Sequence, residues 1–344
     1  MKAHALAPAD ITPAQAGWVL AHDVRDHSGA LRLPKGTIID PAHQDTLHEC
    51  ASPELHFVER EAGDLHEDDA ARLIATAICG AHLDIREPNQ SRVDLVARTR
   101  GLVRIDVDLL RAINSVGDIT VYTTIDLQPV DADTPVASVK VSPIVTTTEK
   151  VAAIEQLCRT AAGPLVALEP FVPRPVAVIL VGETPAEQRD RVQAALARKI
   201  AWFGAELREL RCVPHERSAV AAAFRDVLAG GAGIVLVAGG NPIDPLDPVL
   251  AALDDIGATL VHSGAPTRGS MSWLARVGPV QILNLASARM YLGPTVGDLY
   301  LPLLMREEPV TPEDVIALGY GGMPGSAVSL RVAPYEGGME GRDC

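Results

Sequence analysis

GIVLVAGGNPIDPLDP (Gly233–Pro248) is the stretch on which the fold turns. Its run of branched apolar residues suits a strand buried on both faces of a parallel sheet. The run ends in two glycines. A proline-rich loop then leads to Asp247-Pro248, with the residue types of a helix cap and a first helical position. VAVILV (Val176–Val181) and VQILNL (Val280–Leu285) have the same strand character. Between them, Thr184-Pro185-Ala186-Glu187 reads as a capping box. It opens a helix that presents Val192, Leu196, Ile200 and Phe203 on one face and stops at Gly204. Glu206–Val213 reads as a strand, and Val220, Phe224, Val227 and Leu228 mark a helix closed by Gly230 and Gly231. A helix from Pro248 to Ile256 and a strand over Ala258–Gly264 follow. Alternating strands and helices define an α/β domain with a doubly wound parallel sheet, with ligands expected at the carboxyl ends of the strands.

This domain is placed at residues 174–306, and a C-terminal helix and tail at 307–344. Pro302 shortens or kinks the helix after Pro294. Thr311-Pro312-Glu313-Asp314 opens the last helix, Gly319-Tyr320-Gly321-Gly322 stops it, and the polar tail from Gly337 is expected to be loose. The N-terminal half is α+β with a small β-module. Residues 1–87 form a β-hairpin and helical module: Trp18–Val24 and Leu31–Ile39 as strands around His27-Ser28-Gly29, then helices near Pro41–Glu49 and Glu67–Cys79. Asp64 is the expected cap of the second helix, with Glu67 completing the box and Gly80 closing it. Residues 88–173 hold strands over Arg92–Ala97, Leu102–Asp106, Ile119–Ile125 and Val136–Val141, and helices over Asp108–Ile113 and Lys150–Ala162. The junction between the halves is the proline-rich Pro164–Pro175.

The 344 residues are 47% apolar and 22% charged, enough to bury a sizeable core. Aromatics are 3%, which argues against a base-stacking surface. With 30 Lys and Arg against 44 Asp and Glu, the net charge of −14 disfavours nucleic acid and anionic membranes as partners. The N-terminus has no apolar core of signal-peptide type, and no apolar run is long enough to span a bilayer. Five widely spaced cysteines without a CxxC pair point to neither disulfides nor structural zinc, and to a cytoplasmic address.

Three loops carry candidate chemistry. Gly239, Gly240 and Asn241 let a ligand approach the backbone beside a helix N-terminus. Asp244 and Asp247 offer oxygen ligands for Mg²⁺, although Asp247 before Pro248 is also what an ordinary helix cap looks like. After the next strand, Ser263, Gly264, Thr267 and Arg268 supply small residues, hydroxyls and one guanidinium suited to phosphate, or form a plain surface turn. Asn284, Ser287 and Arg289 follow the last strand and complete the rim. His66-Glu67-Asp68-Asp69 reads as an acidic first turn rather than a metal site, and His215-Glu216 lacks the second histidine of a zinc protease. Arg92, Arg98, Arg100, Arg104 and Arg111 form either an anion receptor or an ion-paired face, the commoner outcome. No P-loop, dinucleotide fingerprint or nucleophile elbow occurs, which argues against a dehydrogenase.

On these residues the C-terminal half resembles the molybdopterin-binding domain shared by MoeA, MogA, gephyrin and the CinA group. The resemblance rests on the buried strand ending in Gly239-Gly240, on Asp247 at the position of that family's functional aspartate, and on the turn Ser263-Gly264-Ala265-Pro266. The N-terminal half is similar to bacterial MoeA-like proteins over VLAHDVR (Val19–Arg25), LPKGTII (Leu33–Ile39), GDLHEDDAA (Gly63–Ala71), Arg92–Leu95 and VASVKVSP (Val136–Pro143). The resemblance implies a MogA-like fold and a pocket for molybdopterin or molybdenum cofactor. In it Gly239, Gly240, Asn241, Ser263, Gly264, Thr267, Arg268, Asn284 and Ser287 hold the ligand, and Asp247 with Asp244 coordinates Mg²⁺ as the catalytic pair of a molybdotransferase.

Two departures separate the chain from that family. Leu283-Asn284-Leu285-Ala286-Ser287 stands in place of Pro-Gly-Asn-Pro, and Asn241-Pro242-Ile243-Asp244-Pro245 in place of a hydroxyl-rich loop, with prolines that remove amide donors. The expected function is therefore molybdate insertion in cofactor biosynthesis, or delivery of cofactor to a client molybdoenzyme, in a protein that can form homo-oligomers. The alternatives are a CinA-like metal-dependent nucleotide pyrophosphate hydrolase and a noncatalytic interaction module on a degenerate pterin fold.

Overall fold

Val176–Val181 forms strand β1, and its side chains alternate between two cores. Val176, Val178 and Leu180 face one layer, with Val192, Leu196 and Ile200 of helix α1 (Ala186–Trp202). Ala177, Ile179 and Val181 face the other, with Val220, Phe224 and Val227 of α2 (Arg217–Ala229). A strand covered on both sides needs apolar residues at every position, which is why VAVILV does not alternate with polar ones. Each such buried side chain contributes roughly 1.5–3 kcal/mol. The computed structural model describes residues 1–89, 91–267, 271–292, 295–322 and 331–335. Contacts divide them into two units. The first holds Met1–Arg98, Arg104–Asp126 and Asp133–Leu168; the second holds Thr99–Val103, Leu127–Ala132 and Glu169–Cys344.

The second unit continues with β2 (Leu207–Val213), β3 (Ile234–Ala238), β4 (Thr259–Gly264), β5 (Ser272–Val277) and β6 (Val280–Leu285). The sheet order is β2-β1-β3-β6-β5-β4. The first four strands in this order are parallel; β5 runs antiparallel to both β6 and β4. The expectation of an all-parallel sheet is thus corrected: it is mixed, with β5 inserted before the edge. β5 joins β6 through the two-residue turn Gly278-Pro279, with Gly278 at φ +53°. A glycine-proline pair between two apolar runs is a hairpin signal in the sequence.

Local signals held unevenly. Helix α1 is entered through Pro185, and Thr184 makes no side-chain cap, so the expected capping box is absent. The helix expected over Pro248–Ile256 shrinks to α3 (Pro248–Ala251) and a short 3-10 turn (Asp254–Ile256). Helix α4 (Val296–Leu304) accommodates Pro302, and α5 (Pro312–Ala317) opens with the expected Thr311–Asp314 capping box. Gly319–Gly322 follows the end of α5, whereas the tail from Gly337 lies outside the described residues.

In the first unit, an antiparallel sheet orders Ile119–Thr123, Pro135–Val141, Arg92–Ala97 and Leu83–Ile85. A smaller sheet pairs Leu55–Glu59 with Lys2–Leu6 and Val19–Leu20, and Val24–Arg25 makes a hairpin with Leu31–Leu33. Leu20, Val24, Leu33, Leu47, Leu55 and Phe57 share one core. The helix Glu67–Ile78 is capped by His66, whose ring accepts the Asp68 amide, and not by Asp64, which lies in a strand and accepts the Glu61 amide. The arginine cluster is ion-paired: Arg92 to Asp94, Arg98 to Asp84, Arg100 to Asp131, Arg104 to Asp126 and Arg111 to Asp108. Cys50, Cys79, Cys158 and Cys212 are free. No described helix is long and apolar enough to cross a membrane.

Candidate functional site

Where β3 ends, the chain turns through Gly239 (φ +117°) and Gly240 (φ +76°), a region that favours glycine. A Cβ on Gly239 would lie 2.4 Å from the Val181 carbonyl oxygen at the end of β1. One on Gly240 would lie 2.7 Å from Asp247 Oδ1. The glycines therefore let two strand ends and a loop approach more closely than side chains permit. The order β2-β1-β3 makes this a switch point: β1 leads to β2 on one side, while the chain after β3 continues on the other. Crevices for ligands in open α/β sheets form at such places.

Asn284 faces Val237 across the β3–β6 pair and is 1% exposed. Its Nδ2 donates to the Gly239 carbonyl at 3.1 Å, while its buried Oδ1 has no hydrogen-bond partner among the described residues. The Gly239 amide donates to the Leu285 carbonyl at 3.0 Å, and the Gly240 amide donates to no described residue. A buried amide oxygen without a donor is costly, roughly 1–3 kcal/mol, and marks a place where a ligand or water donor is wanted.

Asp247 is 3% exposed. Its Oδ1 accepts the Val249 amide at 2.8 Å and its Oδ2 accepts the Asn241 amide at 2.7 Å. His215, which follows β2, places Nε2 3.0 Å from the same Oδ2. A carboxylate only accepts, so Nε2 carries the proton. Asp244 is exposed, and its Oδ1 accepts the Leu246 amide at 2.9 Å; Asn241 Oδ1 accepts the Ile243 amide at 3.4 Å. Both aspartates thus stabilise the loop. Among the described residues, no three His, Cys, Asp or Glu side chains gather into a metal site.

The structure brings Gly239, Gly240, Asn241, Asp247 and Asn284 together. Ser287 begins the next loop, where its Oγ caps a 3-10 turn through the Arg289 amide. The Ser263 turn lies on the same edge but farther away. The register aligns Gly264 with Ser272, Leu285 and Ala238, so β5 and β6 stand between the two loops. Three strand spacings separate them by roughly 14 Å. The expected adjacency of the two loops is corrected accordingly. Ser263 is exposed and Thr267 half-buried, and Arg268 lies outside the described residues. A groove of about 540 Å³ beside the Asn241–Asp247 loop is lined mostly by apolar residues, including Pro245, Leu246, Leu250 and Leu260.

His215 was missed as a member of this cluster. A histidine 32 residues from its aspartate carries no spacing signal, and only the ends of β2 and β3, on either side of β1, bring the two together.

No protein-family model and no curated protein matches the sequence. Among solved structures, the chain is similar to the protein CinA from Thermoplasma acidophilum at 14% identity, over 34% of this chain and 90% of that one, with a TM-score of 0.27. The tungsten cofactor synthesizing protein MoaB from Pyrococcus furiosus is similar at 15% identity, over 40% of this chain and 98% of that one, with a TM-score of 0.29. A molybdopterin biosynthesis protein from Mycobacterium abscessus is similar at 16% identity, over 43% and 95%, with a TM-score of 0.30.

Proposed function

We propose that the carboxyl edge of the six-stranded sheet binds molybdopterin or the molybdenum cofactor built on it, and that this unit holds or delivers the cofactor. The observation that carries this reading is the unpaired Asn284 Oδ1 buried beside the Gly239–Gly240 turn at the switch point. The chemistry of the group fits the residues present. A pterin ring offers N–H donors for an amide oxygen, and its phosphate suits a free backbone amide such as that of Gly240. Asn241 and Ser287 flank this place. Ser263, Gly264, Thr267 and Arg268 would meet only a ligand that reaches along the edge.

Holding is favoured over molybdate insertion because both Asp247 oxygens already accept loop donors and Asp244 turns its Oδ1 to the Leu246 amide. We assign Asp247 as the residue that positions the loop, with His215 as its partner, and assign no magnesium ion to the pair.

The test is calorimetric titration of the full chain with molybdopterin and with molybdenum cofactor, with and without Mg²⁺. Micromolar or tighter binding, about −8 kcal/mol, independent of Mg²⁺, is expected. Asn284→Leu removes the unpaired oxygen at similar volume and should weaken binding at least about tenfold with little change in stability. No binding of either ligand, or equal binding by Asn284→Leu, overturns the assignment.

A further inference from the structure

The first unit holds a polar cleft of about 360 Å³ whose lining includes Pro34, Lys35, Gly36, Glu67, Pro88 and Asn89. At its floor, the Glu67 side chain is 2% exposed and its Oε2 pairs with Lys35 Nζ at 3.1 Å. Oε1 accepts no hydrogen bond among the described residues. The cleft also depends on a glycine. Gly36 sits at φ +84°, and a Cβ there would lie 3.0 Å from Oε1, in the space over the free oxygen. Both His66 nitrogens are engaged: Nε2 with the Gly36 carbonyl at 2.8 Å and Nδ1 with the Asp68 amide at 3.2 Å. His66 therefore fixes the Gly36 turn to the helix and is not a ligand of the cleft.

The charge pattern narrows what enters. Two carboxylates, Glu67 and Asp68, against one ammonium, Lys35, repel an anion. The ammonium on Glu67 and the lack of a three-ligand cluster among the described residues disfavour a metal ion. A neutral molecule with a donor for Oε1 and, beside it, an acceptor for Lys35 Nζ satisfies both members of the pair at once. Two proline rings in the lining favour a flat ring over a sugar. The volume falls in the range of about 300–1,000 Å³ usual for small-molecule sites.

We propose that this cleft binds the lactam edge of a purine-like heterocycle, with its ring N–H donating to Glu67 Oε1 and its carbonyl accepting from Lys35 Nζ. The cleft is built from residues of the first unit alone and does not rest on the cofactor reading.

The experiment is ligand-observed NMR and calorimetry of the full chain with hypoxanthine, 1-methylhypoxanthine and ribose. Hypoxanthine should bind with a submillimolar Kd. Its 1-methyl form, which lacks the donor, should bind at least about tenfold more weakly, because a site built around a hydrogen bond rejects the analogue without it. Glu67→Gln and Gly36→Ala should each weaken hypoxanthine by a similar factor with the far-ultraviolet circular dichroism unchanged, and Asn284→Leu should leave it untouched. Should either cleft variant unfold, the two hypoxanthines on the unaltered chain still decide. Absence of binding at millimolar hypoxanthine, equal affinity for the methylated form, or preference for ribose overturns the proposal.

Discussion

The carboxylate of Asp247 accepts the Asn241 amide at 2.7 Å and meets His215 Nε2 at 3.0 Å through one oxygen, Oδ2, so one atom joins the loops after β2 and β3. Its other oxygen starts α3, a helix of four residues. Helices that short have no stability of their own. Asp247→Ala should therefore cost about 2 kcal/mol, from the lost cap and the unmet buried amides. Asp247→Asn keeps one acceptor and should cost less. Urea denaturation midpoints measure both, and an unchanged midpoint for Asp247→Ala would remove the loop-positioning role.

Glycines at positive φ are not equivalent, and the space around each one decides the cost of replacing it. Gly240 (φ +76°) would bring a Cβ to 2.7 Å from Asp247 Oδ1 and 2.8 Å from Val249 Cγ2, whereas a Cβ on Gly257 (φ +65°) meets nothing within 4 Å. Gly257→Ala should cost only the left-handed strain, about 1–2 kcal/mol. Gly240→Ala adds a clash with the Asp247 knot and should cost at least about 3 kcal/mol. Thermal melts of the two variants side by side test this; equal losses would mean that the turn relaxes freely.

The parallel core of the second unit was readable because VAVILV and IVLVA are apolar at every position, and VQILNL at all but Gln281 and Asn284, a pattern that doubly covered strands require. β5 was not, because Ser272 and Arg276 interrupt its run and its pairing depends on β4 and β6. Capping was readable where the cap residue acts on its own helix, as at Thr311 and Asp247. It failed at Asp64, where strand pairing claimed the residue and His66 took the cap. Of the candidate site, the Gly239-Gly240 turn and Asp247 followed from local sequence. The separation of the Ser263 loop did not, because strand order is a long-range property.

Acid sensitivity in the second unit should trace in part to Asp314. Burial alone would raise its carboxyl pKa, but the Arg306 guanidinium, bound at 3.0 and 2.5 Å, and the Thr311 amide outweigh this and hold it below 3.8. A carboxyl depressed on folding gives stability that is present above its unfolded pKa and lost as pH falls through the folded one. The gap in melting temperature between the unaltered chain and Asp314→Asn should be constant above about pH 5 and narrow as the pH falls below the ordinary carboxyl range. A gap that stays constant down to pH 2 would mean that the pair does not shift the carboxyl.

The pair formed by Lys199 at the end of α1 and Asp298 in the first turn of α4 behaves in the opposite sense. Lys199 Nζ lies 2.7 Å from Asp298 Oδ1, with side chains 6% and 0% exposed, while Oδ2 accepts the Thr295 amide at 2.9 Å. Burial raises the Asp298 pKa above 3.8 although Lys199 opposes it. A raised carboxyl contributes stability that is complete below the unfolded pKa and lost as pH rises through the folded one. Lys199→Met leaves that carboxyl buried without its counter-charge and should cost about 3–5 kcal/mol near neutral pH. The loss should shrink on acidification as the carboxyl takes up its proton. The double variant Lys199→Met/Asp298→Leu removes both charges and should regain most of the stability, because a buried ion pair returns little beyond its own desolvation. Chemical denaturation of the unaltered chain and the two variants from pH 5 to 8 makes the comparison. If the double variant is as unstable as Lys199→Met, the Asp298 link to the Thr295 amide, and not the charge pair, holds the start of α4.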